Sequence, residues 1–184
     1  MKYFMFFIGV LFLMQTEALA FLKEGDSLPH QLEAIDQNGV KQSFDKVKDS
    51  SGLIIIFVRS ADWCPYCQRQ LIDMNKSHKE ILELGYGLTS VSYDSVNELA
   101  KFSKKHSISY PMLSDTNSEI IKAFDILNKD IKEESKGYGI PHPAVYIIDD
   151  TGEILARFAE EGYKKRPPSS LILDVLKKLE AGNN

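Results

Sequence analysis

The stretch LIIIFVRSADWCPYCQRQ, residues 53–70, is the part of the sequence on which the fold of the whole chain depends. Its first six residues form an unbroken apolar run, mostly β-branched or aromatic, with the length of a strand buried on both faces. A short turn over residues 60–63 follows, and CPYC at residues 64–67 then leads into a segment with helical apolar periodicity. The pattern predicts a central strand followed by a helix that begins at the two cysteines.

The position of the cysteines at a helix start predicts redox chemistry. Unpaired backbone N–H groups and the positive end of the helix dipole stabilise a thiolate, which is the nucleophile in sulfur exchange. We therefore predict that Cys64 is the attacking thiolate, partly exposed and with a pKa below that of a free cysteine. Cys67, one helical turn later, is expected to stay protonated and to act as the resolving sulfur. Pro65 suits this first turn because its missing N–H costs nothing there.

Two other uses of a cysteine pair fit the sequence less well. A permanent disulfide across so short a loop would remove little chain entropy, so it would add little stability. Structural zinc needs two further ligands. The four histidines are instead scattered singly along the chain, at His30, His78, His106 and His142. We therefore expect no structural metal site.

The sequence around the cysteines resembles a known family. WCPYC at residues 63–67, after a hydrophobic strand, looks like the active site of the thioredoxin superfamily. The run RSADWCPYC at residues 59–67, with GIPHPAVYIIDDTG at residues 139–152, is similar to redoxins of the alkyl hydroperoxide reductase C and thiol-specific antioxidant (AhpC/TSA) type. The resemblance covers nearly everything after residue 20 and implies thiol-dependent oxidoreductase activity without a cofactor. It also implies thiols, disulfides or hydroperoxides as partners, and an external electron donor or acceptor.

The resemblance further implies which residues surround the substrate. Trp63 and Tyr66 flank the cysteines and are expected to shape the surface that meets the partner. In the superfamily a cis-proline faces the cysteine pair, and the resemblance implies Pro143 for that position, with Pro141 as the second candidate. His142 directly precedes Pro143, so we expect it against the cysteines, where it could tune the thiolate, donate a proton or bind a soft metal.

The remaining sequence predicts an α/β fold in which strands and helices alternate. A hairpin is expected around Asn38-Gly39, Gly85 and Gly182 are expected to end helices, and residues 125–138 have the composition of a loop. Together the elements predict a thioredoxin-like fold, a mixed central sheet flanked by helices, with an N-terminal β-hairpin extension. The predicted strands lie at residues 32–35, 53–58, 88–93, 111–114, 144–148 and 153–158, and the predicted helices at residues 65–84, 95–105 and 118–124 and around Ile172, Val175, Leu176 and Leu179.

The first twenty residues predict a secretory signal peptide, so the redoxin domain is expected to span residues 21–184. Lys2 gives a positive start, residues 3–14 are apolar, and ALA at residues 18–20 is a small-x-small cleavage site. The apolar run is shorter than the roughly 20 residues of a membrane span. We expect cleavage, no stable membrane insertion afterwards, and a periplasmic or secreted product.

The charge of the chain argues against nucleic acid as a partner. The formal net charge is -4, whereas a protein that binds nucleic acid presents a basic surface. The basic run at residues 164–166 follows two glutamates, and we interpret it as a solvated loop.

Three functions remain open on this sequence. The leading hypothesis is an exported thiol-disulfide oxidoreductase with Cys64 and Cys67 as its redox pair. The alternative from the resemblance is a thiol-dependent hydroperoxide reductase, although Phe57 and Ala61 stand where peroxiredoxins carry the Pro and Thr before the reactive cysteine. The third is a periplasmic copper-handling protein on the same fold, in which both thiolates and His142 would bind Cu(I).

Overall fold

The computed structural model describes residues 22–159, 162 and 164–182. The predicted signal peptide at residues 1–20 lies outside the described residues. Within them the chain forms, in order, β1 (Ala34–Asp36), β2 (Lys41–Gln42), α1 (Phe44–Val47), β3 (Gly52–Phe57), α2 (Pro65–Glu83), β4 (Tyr86–Ser92), α3 (Val96–His106), β5 (Met112–Ser114), α4 (Glu119–Ala123), β6 (Ala144–Asp149), β7 (Ile154–Phe158) and α5 (Ser169–Gly182). The predicted elements are confirmed, with boundaries that differ by one to three residues.

The strands form one mixed sheet in the order β2-β1-β5-β4-β3-β6-β7. β3, β4 and β5 are parallel to one another, whereas β6 runs antiparallel to β3 and pairs with β7 in a hairpin. The N-terminal hairpin of β1 and β2 joins the far edge through antiparallel pairing with β5. The predicted mixed sheet with an N-terminal hairpin extension is therefore confirmed.

β3 lies in the middle of this sheet, and all six of its residues are buried. Its side chains alternate between two cores, because successive residues of a strand point to opposite faces. Ile54 and Ile56 pack on the side of α2, α3 and α5, whereas Ile55 and Phe57 pack on the side of α1 and α4. Helices cover both faces, which explains why the apolar run is continuous instead of alternating with polar residues.

Two local features of the N-terminal region differ from the prediction. β1 begins at Ala34 instead of residue 32, because Leu32 has φ 54, in the left-handed region that no strand residue adopts. The four-residue helix α1 was not predicted from the sequence. It buries Phe44 and Val47 against the sheet, and so short a helix carries too few residues for a periodic signal.

The last helix determines what lies beside the cysteines. α5 packs on α2, with Ile172 and Leu176 in the core they share with the α2 side of the sheet. The backbone N–H of Ser169 donates to Asp73 Oδ2 on α2 at 2.8 Å, so the start of α5 is tied to that helix. The residues just before α5 are thereby held along α2. Among the described helices, none combines the length and the apolar character needed to cross a bilayer.

Candidate active site

The two cysteines lie at the beginning of α2, as predicted. Cys64 is the N-cap residue, Pro65 occupies the first helical turn, and the backbone N–H of Cys67 donates to Cys64 Sγ at 3.4 Å. Both cysteines are free thiols, and a hydrogen bond joins their side chains. The helix start therefore places the two side chains side by side in one turn, as intramolecular disulfide formation requires.

Both thiols are buried, which contradicts the prediction that Cys64 is partly exposed. Cys64 is 1% exposed and Cys67 is 0% exposed, within the core that Ala61 and Leu71 also line. Trp63, in contrast, is 44% exposed. A helix start at the edge of a sheet does not guarantee exposure when later segments of the chain cover it.

A buried carboxylate fixes the turn that leads from β3 into α2. Asp94, just after β4, accepts hydrogen bonds from Ser60 Oγ at 2.7 Å, from the backbone N–H of Ala61 at 2.6 Å and from Ser92 Oγ at 2.8 Å. Burial raises the pKa of Asp94, and these hydrogen bonds oppose the rise. Ser60 Oγ in turn accepts from the backbone N–H of Trp63 at 3.2 Å. No sequence pattern predicted this network, since Asp94 lies 34 residues from Ser60.

Arg166 contacts the cysteine pair, and the sequence analysis did not predict this contact. Its Nη2 lies 3.8 Å from Cys67 Sγ and donates to it, and its Nη1 donates to the backbone carbonyl of Lys165 at 2.7 Å. The interpretation of residues 164–166 as a solvated loop is therefore wrong for Arg166, which is partly buried. Its separation of 99 residues from Cys67 explains why no sequence spacing revealed the contact.

The groups around the two cysteines reverse the predicted order of their pKa values. The pKa of Cys67 is lowered to about 6, because the Cys64 thiol donates to its sulfur and because the backbone N–H of Ser60 and the Arg166 guanidinium also face it; burial opposes these effects. The pKa of Cys64 is raised, because its thiol proton is held by Cys67 and because the group is buried. The surroundings of Cys67 thus favour the thiolate on that sulfur over the thiolate on Cys64.

Two aromatic side chains flank the pair, each beneath a guanidinium group. Arg59 Cζ lies 4.9 Å from the centre of the Trp63 ring, and Arg69 Cζ lies 4.6 Å from the centre of the Tyr66 ring. Trp63 Nε1 also donates to the Tyr93 hydroxyl at 2.9 Å. Such cation–π and hydrogen-bond contacts hold amphipathic rings at a surface. Trp63 and Tyr66 therefore border the cysteines as expected.

His142 and Pro143 lie just before β6, whose first residue Ala144 pairs with Phe57 at the end of β3. No cis peptide bond occurs in the described residues, so the expected cis bond before Pro143 is absent. The trans form is the lower-energy state of an X-Pro bond. In this trans segment the backbone N–H of His142 donates a hydrogen bond to Ile126 O at 2.6 Å.

His142 does not complete a metal site with the cysteines. Within the described part of the chain, no group of three or more His, Cys, Asp or Glu side chains could hold a metal ion. Partial burial lowers the pKa of His142, with Asp130 opposing, so the imidazole is neutral at neutral pH. The geometry thus removes the three-ligand set on which the copper hypothesis depended.

The residues that replace the peroxiredoxin Pro and Thr have structural roles. Phe57 is fully buried against Phe124, with ring centroids 4.6 Å apart. Ala61 is also fully buried, and it has no hydroxyl group to offer a peroxide. The adjacent hydroxyl of Ser60 already donates to Asp94.

Comparisons with known proteins place the chain among thiol-dependent oxidoreductases. Residues 25–157 match the AhpC/TSA family. Peroxiredoxin Bcp of Bacillus subtilis is 26% identical over 129 residues, which cover 68% of this chain and 80% of that protein. The thiol-disulfide oxidoreductase ResA of Bacillus cereus is 23% identical over 122 residues, covering 66% of this chain and 63% of ResA.

Solved structures show the same fold. Peroxidoxin BcpB from Mycobacterium tuberculosis superposes with a TM-score of 0.72 at 22% identity, covering 87% of this chain and 97% of that one. A peroxiredoxin Q structure from Xanthomonas campestris gives a TM-score of 0.70 at 20% identity, with 86% and 97% covered. These similarities confirm the thioredoxin-like fold of the peroxiredoxins.

Proposed function

Because the chain belongs to the AhpC/TSA family, we propose that it is an exported thiol-disulfide oxidoreductase that cycles between a Cys64–Cys67 dithiol and a disulfide. Its relatives are peroxiredoxins and thiol-disulfide oxidoreductases, and the chain is accordingly a thiol-dependent oxidoreductase. The observation that carries this proposal is the placement of both cysteines at one helix start, where the backbone N–H of Cys67 donates to Cys64 Sγ and a guanidinium lies beside Cys67 Sγ.

The hydrogen bond between the sulfurs supports a two-step exchange. As substrate approaches, the Cys64 proton moves to Cys67, and the Cys64 thiolate attacks one sulfur of the substrate disulfide. A Cys64–substrate bond forms, the substrate disulfide breaks, and the leaving thiolate takes a proton from water. Cys67 then loses its proton, attacks Cys64 Sγ and releases the second substrate thiol. Two electrons pass from the cysteine pair to the substrate; one product thiol takes its proton from water and the other takes the proton that Cys67 loses, and the opposite direction follows the same steps in reverse.

The test of this proposal uses single cysteine variants. Reduced wild-type protein should reduce insulin disulfides or hydroxyethyl disulfide when an external reductant regenerates it. Cys64→Ser should abolish turnover, whereas Cys67→Ser should still form a mixed disulfide that cannot resolve and that mass spectrometry detects. Unchanged turnover in Cys64→Ser would refute the proposal.

Hydroperoxide reduction is the second candidate, favoured by the peroxiredoxin relatives. In that reaction a cysteine thiolate takes the distal peroxide oxygen, an alkoxide or hydroxide leaves, and the resulting sulfenic acid condenses with the other thiol to release water. The fully buried Ala61, which has no hydroxyl, argues for a slow reaction. Peroxide consumption no faster than that of a free thiol, with reductant present, would eliminate it.

Export is supported by the leader at residues 1–20, with its positive start and small-x-small cleavage site. The proposed compartment is the periplasm or the medium. Expression of the full chain, followed by cell fractionation and mass measurement, should give a product that begins at residue 21. A full-length product confined to the cytoplasm would contradict export.

A further inference from the structure

A cleft with a volume of about 270 Å³ opens beside Arg166, the residue that contacts Cys67. It lies between the first turns of α2 and the segment that precedes α5. A space of this size approaches the lower range of small-ligand sites and holds a group of a few heavy atoms. Its lining residues are Tyr66, Arg69, Gln70, Asp73, Lys164, Arg166, Pro167 and Pro168.

The charges in this cleft favour an anion. Three of the lining side chains are cationic, and Asp73, the one acidic residue among them, already accepts the backbone N–H of Ser169. Arg69 is exposed at the rim, where its guanidinium lies over Tyr66. An anion that enters the cleft therefore meets the positive charge of the exposed Arg69 and that of the partly buried Arg166.

Two buried polar atoms in the cleft lack a hydrogen-bond partner among the described residues. Nε of Arg166 is buried and donates to none of them, while the two terminal nitrogens of the same guanidinium are engaged. Oε1 of Gln70 is likewise without a partner, and Gln70 is only 5% exposed. Buried polar groups left unsatisfied cost free energy, so the unpartnered Nε–H of Arg166 favours a ligand that brings a hydrogen-bond acceptor; the amide oxygen of Gln70 is itself an acceptor and does not contribute to holding an anion.

We propose that this cleft binds the carboxylate of the substrate, so that the enzyme prefers disulfides carrying a carboxylate near the sulfur atoms. The inference rests on the proposed function, since Arg166 both lines the cleft and contacts Cys67 of the same cysteine pair. The carboxylate accepts from Arg166 Nε and is attracted by Arg69, which places the attached disulfide beside the redox pair. The exchange step remains the one described above, and the carboxylate takes no part in the electron transfer.

The experiment compares three small disulfides that differ in charge: anionic dithiodipropionate, neutral hydroxyethyl disulfide and cationic cystamine. Each disulfide is mixed with the reduced wild-type protein under single-turnover conditions. The fluorescence of Trp63, the one tryptophan of the chain, then reports the rate at which the cysteine pair is oxidised. Rates are divided by those of the same disulfides with a neutral dithiol in solution, which removes their intrinsic reactivity. We expect dithiodipropionate to exceed hydroxyethyl disulfide by about three- to tenfold, the range of one or two partly exposed ion pairs.

The decisive variant is Arg69→Glu, because Arg69 is exposed and does not contact either sulfur. It should abolish or reverse the preference between the three disulfides, with cystamine favoured over dithiodipropionate. Lys105→Glu is the matched control, since this exposed lysine lies on α3, outside the cleft. Reversing its charge should leave the preference for dithiodipropionate unchanged.

Two results would overturn the inference. One is equal normalised rates for the three disulfides in wild type, and the other is equal loss of preference in Arg69→Glu and Lys105→Glu. In both cases reaction with hydroxyethyl disulfide would leave the proposed function standing. If none of the three disulfides oxidised the wild-type cysteine pair, the proposed function itself would fail, and the inference with it.

Discussion

Replacement of Arg166 by glutamine is expected to raise the pKa of Cys67 from about 6. The substitution keeps a polar side chain of similar length but removes the positive charge that lies 3.8 Å from Cys67 Sγ. At that distance two unit charges attract by about 1 kcal/mol at the dielectric constant of water and by about 4 kcal/mol at an effective value of about 20. One pKa unit corresponds to about 1.4 kcal/mol, so the expected rise is about one to three units.

The assay is a pH titration of the ultraviolet absorbance of the thiolate in anaerobically reduced protein. Absorbance suits this site better than alkylation, because both sulfurs are buried and a reagent reports access as well as charge. The thiolate signal rises with pH through the midpoint, which should lie near 6 in wild type and between about 7 and 9 in Arg166→Gln. Arg166→Lys keeps a charge on a flexible stem and should fall between the two.

An unchanged midpoint in Arg166→Gln would refute the electrostatic argument. It would mean that the Cys64 thiol and the backbone N–H of Ser60 suffice to stabilise the Cys67 thiolate. A wild-type midpoint at or above the value of a free cysteine would be more serious, since the pair would then have no thiolate at neutral pH.

Three further predictions concern the scaffold that holds the pair, and denaturant unfolding measures each. Asp94→Ala should destabilise the protein by about 3 kcal/mol, because the hydroxyl of Ser60 and the backbone N–H of Ala61 lose a buried charged acceptor; a loss below about 1 kcal/mol would contradict this role. Ser95→Ala removes the capping box of α3 and should cost about 1 kcal/mol, with no change in redox activity. Met74→Ala should cost about 2–5 kcal/mol, because it empties a fully buried position under the sheet, and a near-neutral result would place Met74 outside the core.

The central part of the fold could be predicted because its signals are local. The continuous apolar run predicted β3, and the two cysteines with Pro65 predicted where α2 begins. Gly85, with φ +76, ends the α2 region as expected, since that conformation suits a residue without a Cβ. Each of these features depends on a few neighbouring residues, so periodicity and capping rules suffice to find it.

The charges of the site could not be predicted, because they come from distant segments. Arg166 precedes the last helix, and only the packing of α5 on α2 brings it to Cys67. Asp94 follows β4, and it reaches Ser60 because β3 and β4 are parallel neighbours that end at the same edge of the sheet. The cis bond expected at Pro143 came from the resemblance alone, and the structure has a trans bond there.

The pKa of Cys67 lies below that of Cys64, the reverse of the prediction, because the two sulfurs accept different hydrogen bonds and face different charges. Cys64 Sγ accepts one backbone N–H at 3.4 Å, whereas Cys67 Sγ receives the Cys64 thiol proton, the backbone N–H of Ser60 and the guanidinium of Arg166. A helix start alone favours the first cysteine, but the hydrogen bond from the Cys64 thiol, with the Ser60 N–H and the Arg166 cation added to it, outweighs one long hydrogen bond to Cys64. A carboxylate bound at Arg166 would neutralise part of that cation, weaken its hold on the Cys67 thiolate and so draw the shared proton from Cys64 to Cys67. Substrate binding in the cleft would then produce the attacking Cys64 thiolate at the moment when the disulfide is in place.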